Sequence, residues 1–246
     1  MLTVVIGDQQ RLLREAVAAW LGRQSDIAAV LQAGNSDQIL DLVCREHPEL
    51  VLMDCELPGR DPFEAVLDIR QIDPRCKVLF WAERPYDAHV EAVLACGANG
   101  YLLKYEPLAV LQQAIREVME TGFFVSAPIR QRLTVADGHL QLARLRTGPA
   151  GLLADREWEL LRHLGYGKSL KEVSAAMRIS YKAADNLKSS LSRKLNIHDR
   201  VELARFAMRC GLVCPNGPSE RTLRRLNGNG ALLPKTVSSV VGTTSL

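Results

Sequence analysis

The sequence lacks any apolar run that approaches the roughly 20 residues of a membrane-spanning helix. It also lacks the pattern of a leader peptide. The short apolar run LTVVI follows Met1 at once, without a basic segment, and ends at Asp8. We therefore expect neither a signal peptide nor contact with a membrane.

The sequence also lacks the cysteine spacings that are typical of metal sites and redox-active disulfides. The six cysteines form no CxxC pair and no Cys/His cluster with the spacing of a zinc site. Several lie inside apolar runs, which is typical of reduced core thiols in a cytosolic protein. The sequence thus predicts a cytoplasmic protein. The cysteines are Cys44, Cys55, Cys76, Cys96, Cys210 and Cys214.

The net charge of +3 conceals an uneven distribution of charge. Residues 1–125 contain 11 basic and 19 acidic residues, a balance of −8, whereas residues 126–246 contain 20 and 9, a balance of +11. A chain of 246 residues has room for two domains. We interpret the halves as domains with different partners, the basic one being a candidate for binding polyphosphate.

The acidic half alternates short apolar runs with helix-length segments that carry apolar residues three and four apart. This alternation predicts an α/β fold, a doubly wound, five-stranded parallel sheet covered by helices on both faces. Asp61 is the expected N-cap of one helix, with Pro62 at its first position, and Gly122 the expected end of another. The predicted strands are LTVVI, IAAVL, ELVLM, KVLFW and GYLL.

Charged residues follow three of these strands. Asp8 follows the first, Asp54 the third and Lys104 the fifth. In parallel sheets ligands gather at the carboxyl ends of strands, and the strand order 2-1-3-4-5, borrowed from known folds, makes strands one and three neighbours. Two carboxylates there suit Mg²⁺, and a carboxylate can become an aspartyl phosphate. A carboxylate with a purely structural role is the alternative for Asp54.

Residues 1–125 resemble the receiver domain of two-component response regulators. The resemblance is carried by VVIGDQQRLLREAVAAWL, DIAAVLQAGNSDQILDLV, PELVLMDCELPG and VEAVLACGANGYLLKYEPLAVLQQAI. It implies a flavodoxin-like fold and a histidine kinase as partner. It also implies that Asp54 is the phosphoacceptor, that Asp8 belongs to an acidic pair binding Mg²⁺, and that Lys104 senses the phosphate.

The sequence departs from the receiver pattern at the same site. Gln9 replaces the second acid, and Ala82 stands where receivers place Thr or Ser as the switch residue. Glu56 is a candidate substitute metal ligand, beside Asp8 and Asp54. Fewer charged ligands weaken a Mg²⁺ site, so we expect altered or absent phosphorylation at Asp54. The alternative is an ordinary receiver with tolerated substitutions.

The basic half begins with a predicted linker, residues 126–150, with one helix interrupted near Asp137-Gly138. Residues 151–213 form the predicted second domain, and from residue 152 the pattern predicts helices throughout. Asp155, Ser169, Ser180 and Asp199 each stand where a helix is expected to begin. Residues 214–246 are rich in Gly, Ser, Thr, Asn and Pro, and we expect mostly disorder there, with one turn of basic helix at SERTLRRL.

Residues 153–213 resemble the LuxR-type helix-turn-helix at the carboxyl end of NarL/FixJ-type response regulators. The opening LADREWELL, the pair Lys171-Glu172, Ser180, the run RKL and the closing RCGLV carry the resemblance. It implies that the recognition helix, about residues 181–195, enters the major groove of double-stranded DNA. Candidate DNA-binding residues are Lys182, Asp185, Asn186, Lys188, Ser189, Arg193 and Lys194.

The residue types of this helix suggest their roles. Lys and Arg neutralise phosphates, Asn186 has the groups to pair with adenine, and Asp185 can accept a hydrogen bond from cytosine. The family often has Thr-Val-Lys where this chain has Ala183-Ala184-Asp185, which indicates an altered DNA site. In this family the last helix commonly pairs two subunits, which implies a homodimer. The apolar residues of that helix, Val201, Leu203, Ala204 and Met208, equally suit a core.

Three functions are consistent with parts of this sequence. The first is a DNA-binding transcriptional regulator whose receiver controls dimerisation and DNA binding. The second is a phosphorylation-independent module controlled by a partner protein or a small ligand. The third is a phosphohydrolase with Asp54 as nucleophile, and it ranks last because no general acid lies nearby in the sequence. We therefore expect a regulator and no enzyme.

Overall fold

The structure is a computed structural model that describes residues 1–136, 139–143, 148–214, 217–218, 222 and 225–226. The chain forms two compact units. The first contains residues 1–85, residues 89–142 and the described residues from 217 onward. The second contains residues 86–88 and most of the segment from 143 to 216.

The first unit is built on a parallel sheet in the order β2-β1-β3-β4-β5-β6. This places the first and third strands side by side, as predicted. All residues of the third strand are buried because helices cover both faces. The strands are β1 (Leu2–Gly7), β2 (Ile27–Ala33), β3 (Leu50–Asp54), β4 (Lys77–Ala82), β5 (Gly100–Leu103) and β6 (Phe124–Val125).

The sixth strand was not predicted, because two residues are too short to show a periodic pattern. The Phe124 N–H donates to the Asn99 carbonyl at 3.0 Å, and the Ser126 N–H donates to the Tyr101 carbonyl at 3.0 Å. Gly100 permits this close approach, since a Cβ there would lie 2.0 Å from the Phe124 oxygen.

Helices cover the two faces of the sheet in separate groups. The second, third and fourth pack against one face, and the first and fifth against the other. The predicted ends are confirmed: Asp61 accepts the Phe63 N–H at 2.9 Å, with Pro62 at the first position, and Gly122 is left-handed after the fifth helix. The helices are α1 (Arg11–Leu21), α2 (Ser36–Glu46), α3 (Pro62–Ile72), α4 (Asp87–Ala95) and α5 (Leu108–Thr121).

The segment predicted as a linker with one helix differs from that expectation. A four-residue helix, α6 (Ala127–Arg130), is followed by an antiparallel hairpin of β7 (Leu133–Ala136) and β8 (His139–Leu142). The hairpin forms because Leu133 and Leu140 join the core of the first unit. Asp137-Gly138, the expected interruption, lies outside the described residues.

The second unit is helical, as predicted. A 3-10 turn (Gly148–Leu152) precedes α7 (Asp155–Gly165), α8 (Leu170–Ala176), α9 (Tyr181–Leu195) and α10 (Arg200–Arg209). Ser169, Ser180 and Asp199 cap their helices through side-chain oxygens, as expected. The cap of α7 is Ala154 instead of Asp155, because the Glu157 carboxylate accepts the Ala154 N–H at 2.7 Å and replaces a side-chain cap.

Three residues of SERTLRRL are described, and all three have helical backbone: Thr222, Arg225 and Leu226. This agrees with the predicted turn of helix. Most of the segment that was expected to be disordered lies outside the described residues. Among the helices that are described, none combines the length and apolar character that crossing a membrane requires.

Candidate functional site

The sheet brings together Asp8, Asp54 and Lys104, as the order of its strands predicts. Asp8 follows β1, Asp54 ends β3 and Lys104 follows β5. The Lys104 Nζ lies 2.7 Å from Asp8 Oδ2 and 2.9 Å from Asp54 Oδ2. One ammonium therefore bridges two carboxylates at the carboxyl edge of the sheet, the arrangement we call the acidic pocket.

Burial makes the charges of the acidic pocket strongly dependent on each other. The side chains of Lys104, Asp8 and Asp54 are 7%, 0% and 5% exposed. Burial raises the pKa of the Asp54 carboxyl, and the Lys104 ammonium offsets only part of that effect. Burial alone would lower the pKa of Lys104, but Asp54 and Asp8 hold it above its usual value. Removing one partner would leave a buried charge uncompensated.

Backbone groups orient both carboxylates. Asp8 Oδ1 accepts the Gln10 N–H at 2.7 Å, and Asp54 Oδ1 accepts the Glu56 N–H at 3.1 Å. The ring of Trp81 closes one side, with the Lys104 Nζ 5.1 Å from its centroid. Such a cation–π contact adds to the attraction that holds the ammonium in place.

The two departures from the receiver pattern are each linked to a residue of the acidic pocket, Gln9 by the chain and Ala82 by a backbone hydrogen bond to Lys104. Gln9 is exposed, whereas Asp8 next to it is fully buried. Ala82 is buried at the end of β4, and its carbonyl accepts the Lys104 N–H at 2.8 Å. Its side chain ends at a methyl group and offers no hydrogen bond to a phosphoryl oxygen.

The donor set fits Mg²⁺ poorly. Lys104 already holds one oxygen of each buried carboxylate. Among the described residues, Asp8, Asp54 and Glu56 do not form a group of three whose carboxylate oxygens all lie within 4.8 Å of one another. Glu56 instead lies within that distance of a ring nitrogen of His89. Mg²⁺ needs several oxygen ligands in a compact octahedral arrangement, which these three residues do not provide.

Tyr101 is a buried residue of this edge that the sequence did not single out. Its hydroxyl donates to the Arg84 carbonyl at 2.7 Å and so ties β5 to the segment after β4. The signal was present, because a tyrosine inside an apolar strand must find a partner for its hydroxyl when buried. The partner, the Arg84 carbonyl 17 residues earlier, could not be predicted from the sequence.

The candidate DNA-binding residues lie on α9, the second helix of the helix-turn-helix. Ala184, Leu191 and Leu195 face the core of the second unit. The polar residues lie on the outer side, where Lys188 is half-buried and the others are exposed. These residues are Lys182, Asp185, Asn186, Lys188, Ser189, Arg193 and Lys194.

Lys194 differs from the other candidates because its charge is paired within the unit. Its Nζ lies 2.6 Å from Glu157 Oε2, and Ser190 donates to Glu157 Oε1 at 2.7 Å. Burial alone would raise the pKa of Glu157, but Lys194, Ser190 and the Ala154 N–H hold it below its usual value. Glu157, which the sequence did not single out as functional, thus fixes α9 against α7.

Two family descriptions match this chain. Residues 4–116 match the response regulator receiver domain, and residues 152–207 match the bacterial regulatory proteins of the luxR family. The first match contains the acidic pocket, and the second contains α7 to α9 and most of α10.

Several characterised proteins are similar over nearly their whole length. The transcriptional activator protein ExaE of Pseudomonas putida is 30% identical over 213 residues, which are 85% of this chain and 97% of that protein. The transcriptional regulatory protein DesR of Bacillus subtilis is 28% identical over 202 residues, which are 82% of this chain and 94% of that one.

The similar solved structures establish the fold. RcsB of Salmonella typhimurium has a TM-score of 0.58 at 18% identity, and the match covers 85% of this chain and 100% of that chain. A structure of two RcsB dimers bound to two parallel DNAs has a TM-score of 0.57 at 18% identity, covering 84% and 98%.

Proposed function

Because the chain belongs to the response regulators that carry a receiver domain and a LuxR-type DNA-binding domain, we propose that α9 reads DNA and that the receiver controls this with altered or absent phosphorylation. The protein is a DNA-binding transcriptional regulator of this family. The roles of individual residues, the domain limits and the form of control belong to the proposal.

The outer side of α9 carries the proposal for DNA. Lys182 and Arg193 are exposed, with Lys188 half-buried between them, so cations run along the length of the helix. Each is suited to a phosphate, which gives affinity that falls with salt. Asp185 and Asn186 lie between Lys182 and Lys188 and are exposed. They supply the groups that contact bases, Asn186 for adenine and Asp185 for cytosine.

Lys194 has a smaller part in this proposal than the other cations. Its ammonium is already paired with Glu157, so a contact with phosphate would compete with that pair. We assign it mainly to the placement of α9, and we keep the six other residues as the DNA-contacting set.

Selection of bound sequences from a random double-stranded DNA pool tests this function. We expect an enriched site with two related half-sites if two copies bind together. Matched binding measurements with Asn186→Ala should show weaker preference at one position of the half-site. Failure to enrich any sequence at low salt would contradict the assignment of α9.

The second copy is proposed to bind through α10. Leu203 and Ala207 face the core, whereas Val201 is 58% exposed and Ala204 and Met208 are half-buried on another side. The spacing of Val201, Ala204 and Met208 places them on one face of the helix. Val201→Lys should weaken self-association in sedimentation and lower the affinity for a two-half-site DNA.

The receiver is proposed to be a poor phosphoacceptor. The supporting observations are the buried Lys104 ammonium, which binds both Asp8 and Asp54, and the buried Ala82, whose side chain has no hydroxyl for a phosphoryl group. Asp54 remains the residue that a histidine kinase or a phosphodonor would modify. Acetyl phosphate with Mg²⁺, followed by intact mass, tests this. A full adduct that Asp54→Asn abolishes would contradict the proposal.

A second form of control is favoured by the same pocket. If phosphate does not act there, a partner protein or a small ligand must change the receiver instead. Purified protein that binds its selected DNA site fully, without a phosphodonor, supports this alternative. DNA binding that appears only after phosphorylation of Asp54 argues for the usual form of control.

The domain limits proposed from the sequence are kept as 1–125, 126–150, 151–213 and 214–246, with two refinements. The hairpin of β7 and β8 belongs to the first unit, so the connection to the second unit begins after residue 142. Thr222, Arg225 and Leu226 also belong to the first unit.

A further inference from the structure

The segment after the LuxR-type domain makes specific contacts with the receiver. The luxR-family match ends at residue 207, and the chain returns to the first unit from residue 217. Thr222, Arg225 and Leu226 are described there, and each contacts the receiver or joins its core. Their spacing of three and four residues puts them on one face of a helical turn.

Thr222 contacts the residue that caps α3. Its hydroxyl donates to Asp61 Oδ2 at 2.9 Å, and the residue is 2% exposed. The other oxygen of the same carboxylate, Asp61 Oδ1, accepts the backbone N–H groups of Phe63 and Glu64. Both oxygens of Asp61 are thus used, one by the helix and one by the tail.

Arg225 and Leu226 add charge and apolar contact. The Arg225 Nη1 lies 2.6 Å from Glu64 Oε2, in the first turn of α3. Leu226 is 1% exposed and belongs to the apolar core cluster of the first unit. A half-exposed ion pair alone contributes little, but a buried leucine contributes by removing apolar surface from water.

We propose that Thr222, Arg225 and Leu226 form an intramolecular ligand of the receiver, and that their binding surface is the first turn of α3. The surface recognises the segment by a hydroxyl, a guanidinium and an apolar side chain on one helical face. Its partner is this chain's own carboxyl-terminal segment, which is covalently attached and therefore present at high effective concentration.

The position of this surface links the segment to the acidic pocket. Only residues 55–60 separate Asp54 from the cap residue Asp61. The start of α3 is therefore joined to the acidic pocket by one short loop, whose Glu56 N–H donates to Asp54 Oδ1 at 3.1 Å. The docked segment steadies the loop, and a partner that displaces it changes the surroundings of Asp54.

Hydrogen exchange on the full-length protein tests the proposal. We expect peptides covering residues 220–228 to exchange more slowly than an unstructured segment, and Arg225→Glu or Glu64→Arg to raise their exchange about two- to fivefold. The double variant exchanges the two charges and should restore the protection. Glu15→Arg, which makes the same change of charge in the exposed pair of α1, should leave it unchanged.

Two further variants examine the apolar contact and the loop. Leu226→Asp should release the segment in the same assay. A chain that ends at residue 218 should exchange faster in residues 55–64 than the full-length protein. Unprotected residues 220–228 in the unaltered protein, or protection that survives Leu226→Asp and both charge reversals, would overturn the proposal.

Discussion

Asp54 and Trp81 are register partners on β3 and β4, and the Trp81 ring faces the ammonium that Asp54 binds. The indole N–H donates to the Gly7 carbonyl on β1 at 3.5 Å. The Trp81 side chain thus contacts β1 through its N–H and Lys104 through the face of its ring. A large, fixed aromatic ring beside the proposed phosphoacceptor leaves Lys104 little freedom to move toward an incoming group. The pocket is therefore organised around its internal ion pairs.

Replacing the cation of the acidic pocket should destabilise the first unit. Lys104→Met keeps most of the side-chain length but leaves the Asp8 and Asp54 carboxylates buried together without a cation. We expect a loss of about 3–5 kcal/mol in the free energy of unfolding, which is typical when one partner of a buried pair is removed. Urea denaturation of the full-length protein measures it.

Asp54→Asn provides the comparison for this prediction. In the double variant with Lys104→Met, only Asp8 retains a buried charge, so the two effects should be less than additive. Added Mg²⁺ should raise the unfolding midpoint of Lys104→Met more than that of the unaltered protein, because the ion can replace the missing cation. Equal midpoints for all variants would show that the pocket contributes nothing to stability.

The Glu157–Lys194 pair should make the second unit sensitive to acid. The pKa of Glu157 lies below its usual value of about 4.3 in the folded state. Its contribution to stability is therefore fully present above that usual value and is lost as the pH falls through the lower, folded pKa. Glu157→Gln should destabilise the unit at neutral pH and flatten its stability profile in acid.

The pH dependence of stability can be measured in the full-length protein by following hydrogen exchange of the backbone amides in α9 across a pH series. Glu159→Gln is a matched control, since Glu159 lies two residues away on the same helix and is exposed. If Glu159→Gln changes the profile as much as Glu157→Gln does, the buried pair is not the cause.

His89 should give the first unit a different pH dependence. It is fully buried in α4 beside the Phe63 ring, and burial lowers its pKa to about 4. Between that value and the ordinary value of about 6.5, the unfolded chain binds a proton that the folded chain does not. Stability should fall as the pH drops through this range, by on the order of 3 kcal/mol.

His89→Phe should remove most of that slope, whatever it does to stability at neutral pH. His47 has an exposed imidazole, so His47→Phe serves as the control and should keep the slope. Denaturation midpoints of the unaltered protein and both variants, measured from pH 7 to pH 4, give the slopes to be compared. A slope that persists in His89→Phe would assign the acid sensitivity to other groups.

The convergence of Asp8, Asp54 and Lys104 was predictable because the ends of parallel strands share one edge of the sheet, whatever the details of packing. The hairpin of β7 and β8 was not, since its short strands are stabilised by Leu133 and Leu140 packing into a core built from distant residues. The same limit applies to Lys194. Its sequence context is that of a DNA contact, whereas its partner Glu157 lies 37 residues earlier.

The cations of α9 should differ from Asn186 in how they affect DNA binding. Lys182→Ala or Lys188→Ala removes one phosphate contact, so affinity should fall similarly on all sequences, and the slope of log K against log salt should become shallower by about 1. Asn186→Ala should cost about 1–3 kcal/mol on the selected site and little on unrelated DNA, because it removes a base contact. Arg23→Ala, an exposed residue of the first unit, is the control and should leave both quantities unchanged. If Asn186→Ala weakens binding equally on selected and unrelated DNA, Asn186 contacts the phosphate backbone instead of a base.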